Sequence, residues 1–163
     1  MVIVALTEDL VDFGDLPPEV NALLQKGVAI HATDAARARA FFQAAIEVAP
    51  EVLPSYRCLF KLQNKLRDFD SAYATALAGL AQAASQAGVS QDWSQWTPAS
   101  LETAADTPRR FLLHSLKALA FIELRRGNDT ASQAALSTLQ SLDPEDGAGG
   151  SVVAALLAHR EPA

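Results

Sequence analysis

Arg57, Lys61, Asn64 and Lys65 stand at i, i+4, i+7 and i+8, a spacing that puts all four on one face of a helix. The chemistry open to such a set is anion recognition. Three cations and an amide can give charge-assisted and neutral hydrogen bonds to a carboxylate. Like charges one turn apart mildly disfavour the isolated helix, and a bound carboxylate would relieve that repulsion. A solvated charged face carries the same residues, so their place in the fold has to separate the two readings.

The other chemistry-bearing residues are dispersed. His31, His114 and His159 have no metal-ligand spacing between them and read as surface or packing residues. Cys58 is a single cysteine, unable to form an internal disulfide or a thiolate metal site, and its apolar surroundings in sequence favour a buried structural role. Gly147-Ala148-Gly149-Gly150-Ser151 could offer backbone N–H groups to an anion. It lacks a phosphate-loop lysine and a preceding strand, so it reads as a plain helix start. No G-x-S-x-G elbow occurs. We expect no enzyme, no catalytic residue, no metal and no cofactor. Trp93 and Trp96 are three apart, so one turn can aim both at one surface. They either cap the end of the preceding hairpin or form an aromatic anchor for a partner.

The elements that must position these residues are helices. Residues 1–16 combine an apolar start, readable as a short strand or frayed helix, with a loop at Asp12, Gly14 and Asp15. Pro17-Pro18 opens a first helix, since proline is tolerated in a first turn, and it runs to about His31. Asp34 caps a second helix that ends at Val48. Tyr56, Leu59, Asp68 and Ala72 mark another hairpin, whose return helix reaches Ala87 and stops at Gly88. Residues 89–107 interrupt the rhythm with a Thr97-Pro98 break and a short helix over Ala99–Ala105. A third hairpin begins at Pro108, turns at Arg125-Arg126-Gly127-Asn128-Asp129 and ends at Asp143-Pro144. A terminal helix lies within 147–160.

Ala38, Phe42, Ala45 and Pro50 reproduce the A-x3-F-x2-A-x4-P spacing that closes a tetratricopeptide (TPR) repeat, and the chain resembles that family. The resemblance implies an all-α, TPR-like solenoid of about three antiparallel hairpins. The divisions are an N-terminal segment at 1–16, repeats at 17–50, 51–88 and 108–144, an insertion at 89–107 and a capping helix at 147–160. Lys26 departs from the pattern, which has a large apolar residue there, and the first turn is one residue short. Counted from Leu53, the family register places Arg57, Lys61, Asn64 and Lys65 on the concave groove, with Lys117 and Arg125 extending the lining. In several relatives such a set holds a peptide's terminal or side-chain carboxylate. Leu24, Phe42, Ala45, Leu59, Ala72, Leu119, Leu136 and Leu139 should be buried.

Bulk properties agree with closely packed helices: half of the 163 residues are hydrophobic but only 7% aromatic. A net charge of −6 argues against broad nucleic-acid binding, which uses Lys and Arg to displace phosphate counterions. Residues 71–91 are uncharged but too polar for a membrane span, and Met1–Leu6 lacks the basic flank of a signal peptide. A soluble cytoplasmic protein is expected, and a homodimer is compatible with the sequence.

Three segments, AIEVAPEVLPSYRCLFKL (45–62), RRFLLHSLKALAFIELRRGN (109–128) and LDPEDGAGGSVVAALL (142–157), are similar to short TPR proteins of bacterial nitrogen-fixation gene clusters. That resemblance implies an adaptor accessory to nitrogenase assembly, whose partner offers an acidic or C-terminal carboxylate element. The alternative is a small TPR chaperone of the type III secretion translocator class. Its regular repeats lack a tryptophan-bearing insertion.

Overall fold

The computed structural model describes residues 11–160, and every regular element within them is helical. The helices are α1 (Pro18–Ile30), α2 (Ala35–Val48), α3 (Leu53–Lys65), α4 (Phe69–Ala87), α5 (Pro98–Leu101), α6 (Asp106–Arg125), α7 (Asp129–Leu142) and α8 (Gly150–Ala158), with a 3-10 turn at Trp93–Gln95. Each long helix packs chiefly on its neighbours in the chain, and α4 packs directly on α6 across the intervening segment. The sequence readings for Met1–Leu10 lie outside the described residues; residues 11–16 have no regular structure.

Local chemistry sets most boundaries. Asp34 and Asp68 accept from the backbone N–H of Arg37 and Ser71, satisfying donors that a helix start leaves orphaned. The α3–α4 and α6–α7 turns have the same construction. The N–H of Asp68 bonds Gln63 O at 2.9 Å, and the N–H of Asn128 bonds Glu123 O at 2.8 Å. Both turns need one residue in the left-handed region, filled by Arg67 (φ 61°) in the first and Gly127 (φ 85°) in the second. Only glycine adopts that conformation without a Cβ penalty.

Two boundaries differ from the sequence reading. The short helix ends at Leu101 rather than Ala105, held at its start by a reciprocal Thr97–Ser100 capping box. The long helix begins at Asp106, two residues before Pro108. Proline is tolerated there because first-turn N–H groups have no intrahelical partner.

The return helices α2, α4 and α7 bury the same positions relative to their caps at residues 34, 68 and 128. These are Ala38, Ala72 and Ser132; then Phe42, Ala76 and Leu136; then Ala45, Gly79 and Leu139. Small residues in this ladder permit close approach. A Cβ on Gly79 would lie 2.8 Å from the Tyr56 Cβ. Phe42 lies against Gly27, where an added Cβ would collide with the ring. All eight residues expected in the core are buried. Lys26, the departure from the repeat pattern, stays exposed with its ammonium 5.8 Å from the Phe41 ring centre, a cation–π contact that keeps its charge solvated.

The core forms two clusters. One joins α1 and α2 to Leu59 and Leu62 of α3. The other joins Leu53 and Phe60 of α3 to α4, α6, α7 and α8. Arg126 ties the second cluster at its rim, bonding Asp70 at 3.0 Å and Glu123 at 2.5 Å, with its guanidinium 4.3 Å from the Tyr73 ring centre.

Candidate functional site

Helices α1, α3 and α6 leave a groove of about 880 Å³ between them, within the range of ligand-binding clefts. Its floor is apolar, with Phe42, Leu53, Phe60 and Phe111 among the lining residues. Its cations are Arg57, Lys61 and Lys65 from α3 and Arg110 from α6, joined by His31 and His114. Among the described residues that line it, Asp12 is the one carboxylate. The N-terminal wall, Val11 to Gly14, is held by a two-way clasp. The Val11 N–H donates to Gln25 Oε1 at 3.1 Å, and Gln25 Nε2 donates to the Val11 carbonyl at 2.6 Å.

The groove thus collects three of the residues singled out on α3, but not the fourth. At 100° per residue, Asn64 falls about 20° beyond Arg57 on the side away from Lys65. It does not line the groove, and its Oδ1 is buried without a hydrogen-bond partner. Lys65 Nζ lies 3.2 Å from His31 Nδ1, within hydrogen-bond distance.

Lys117 and Arg125, expected to extend the lining, do not reach it. Lys117 is drawn to the loop before α8. A Cβ on Gly149 would lie 3.1 Å from its Nζ, and its charge helps Ser151's hydrogen bonds hold the Asp146 carboxyl below its ordinary range. Arg125 lies over the Phe69 ring, 5.3 Å from its centre. Arg110 and His114 take their place in the groove. Their i, i+4 spacing puts them on one face of α6, but which face meets the groove is set by how α6 lies beside α3.

Electrostatics set the protonation states. Burial lowers the proton affinity of His114, and Arg57 and Lys117 lower it further; Asp143 opposes them and Arg110 adds to the lowering. Its imidazole is therefore neutral at pH 7. Burial pushes the Cys58 thiol up to about 11 against the opposing pull of Lys61 and Arg57, so it is protonated and a poor nucleophile at neutral pH. Ser115, at the floor beside His114, is 1% exposed and its hydroxyl has no hydrogen-bond partner.

The chain matches no family model, and no curated protein or solved structure is significantly similar to it. Its function has to be read from the groove and the surfaces around it.

Two of those surfaces are committed internally. Trp96 is 4% exposed, in the second core cluster, and its indole N–H donates to the Ser90 carbonyl at 2.6 Å. It is a packing residue rather than an exposed anchor. Trp93 is partly buried against the same cluster, and their turn packs on α7. The 147–151 loop also spends its N–H groups within the molecule: Gly147 and Ala148 donate to Asp143, and Ser151 donates to Asp146. Among the described residues, no three His, Cys, Asp or Glu side chains converge as a metal site requires. No helix among them is long and apolar enough to cross a membrane.

Proposed function

We propose that this protein is a non-enzymatic interaction module that holds an acidic segment, or the C-terminal carboxylate, of a partner protein in the α1–α3–α6 groove. One observation carries the reading: Arg57, Lys61, Lys65 and Arg110 line a single apolar-floored trough on a chain of net charge −6. A peptide with carboxylates and apolar side chains satisfies both surfaces at once. The carboxylates receive charge-assisted hydrogen bonds, and the apolar groups leave water on the floor.

The repeated burial pattern of α2, α4 and α7 and the matching turns at Arg67 and Gly127 support a TPR-like solenoid, with α1, α3 and α6 on its concave side and α8 as the cap. The placement in the cytoplasm and in nitrogenase assembly rests on the sequence resemblance alone.

The test is affinity purification with the wild type and with a combined Arg57→Glu, Lys61→Glu, Lys65→Glu variant whose helicity is first verified by circular dichroism. The expected result is loss of the partner by the variant and its retention by Lys117→Glu. Equal recovery by all three proteins would sink the groove reading. A nitrogenase component among the groove-dependent partners would support the pathway.

A further inference from the structure

The α6 wall of the groove adds groups that the cation pattern on α3 does not contain. Arg110 and His114 are one turn apart on α6, and both line the groove opposite Arg57. Every charged group acting strongly on His114 can be named. Arg57 comes from α3, Arg110 and Lys117 from its own helix, and Asp143 from the end of α7. Lys61, Lys65, His31, the Cys58 thiol and Asp12 complete the titratable lining of the groove. With three cations around it and one carboxylate opposing them, the half-buried imidazole stays neutral while the groove is empty. A carboxylate seated between Arg57 and Arg110 reverses that balance. It brings a negative charge to the imidazole's edge, and a protonated His114 can donate to it.

We propose that Arg57, Arg110 and His114 form a carboxylate-binding subsite on the α3–α6 wall, and that it fills with uptake of one proton by His114. The inference rests on the groove reading above and deepens it by naming where a ligand carboxylate sits and what accompanies its binding. Apolar lining from Leu53, Phe60 and Phe111 suits a carboxylate flanked by an apolar side chain, such as the C-terminus of a peptide ending in leucine.

The probe is N-acetyl-Gly-Gly-Leu with a free C-terminus, compared with its C-terminal amide and with inorganic phosphate. NMR on labelled full-length protein follows the His114 imidazole across about pH 5 to 8, the range in which histidine titrates, with His159 as internal reference. The free acid should raise the His114 midpoint by about one unit, and its affinity should tighten about tenfold as the pH is lowered through that range. The amide should leave the midpoint unmoved. His114→Gln should lose the pH dependence of binding, its affinity for the acid staying flat across the same range. Perturbation of Lys61 and Lys65 by the free acid with a fixed His114 midpoint overturns the subsite and leaves the groove reading standing. No perturbation anywhere in the groove by the acid overturns both. An equal rise of the midpoint with phosphate overturns the assignment to a carboxylate.

Discussion

Helices α3 and α6 hold equivalent places in their hairpins, sixty positions apart, yet their equivalent cations have opposite fates. Arg57 and Lys65 face the groove, whereas Lys117 turns to the Asp146–Gly149 loop and Arg125 lies over Phe69. The buried positions show no such divergence: Leu59 and Leu119 are both in the core, and Gln63 and Glu123 accept the same turn hydrogen bond. Repetition therefore governs what a position buries, because packing answers to the hairpin's own geometry. It does not govern what a long charged side chain does, because that answers to whichever element arrives next. After α3 the next groove wall is α6, which is itself basic; after α6 it is the acidic loop leading to α8.

The sharpest way to break this comparison is at the buried pair. Leu59→Ala and Leu119→Ala should each cost about 2–5 kcal/mol of stability, by amounts that agree within the scatter of denaturant unfolding. A large asymmetry would mean that the two hairpins are not packed alike. Next comes the charged pair. Arg57→Ala should weaken binding of an acidic peptide by about 1–3 kcal/mol, while Lys117→Ala leaves the affinity nearly unchanged; calorimetry at two salt concentrations separates them. Raised salt should weaken the wild type, since the groove is open to solvent.

The turns give a smaller contrast. Gly127→Ala should destabilise by about 1 kcal/mol, because it forces a Cβ into the left-handed region, whereas Arg67→Gly should gain up to about that amount. Equal and opposite thermal shifts would show that the turns are interchangeable. The smallest effect is that of pH on the unliganded protein. The folded-state proton affinity of His114 is lowered, so the unfolded chain binds the proton more readily. The stability tied to this residue is fully present above about pH 6.5, the ordinary histidine value, and is lost as pH falls below it. Wild type should lose more stability than His114→Gln between neutral pH and about pH 5. Ligand affinity should move the other way, tightening as the pH falls.

Much of the backbone was legible because its signals are local. Asp34 and Asp68 cap within three residues, Gly88 stops α4, and the buried ladder follows from helical periodicity. The start of α6 at Asp106 is masked by Pro108, which marks a boundary in sequence although a first turn accommodates it. On the groove face, Arg57, Lys61 and Lys65 could be grouped from spacing alone. The loss of Asn64 to the shoulder of that face depends on which neighbour the helix presses against. The diversion of Lys117 depends on a loop some thirty positions downstream. The contribution of Arg110 and His114 depends on how α6 is set beside α3, which no local pattern records.

Helix α3 supplies side chains to both core clusters, Leu59 and Leu62 on one side and Leu53 and Phe60 on the other. Neither cluster can dissolve alone while that helix holds, and neither survives its release. Local opening should therefore give way to a single cooperative unit, with the amides of α3 among the slowest to exchange with solvent. A ligand gripping Arg57 and Lys61 binds the shared strut. Its occupancy should slow exchange in α1 and α7 alike, far from any atom it touches, by mass action on the folded state.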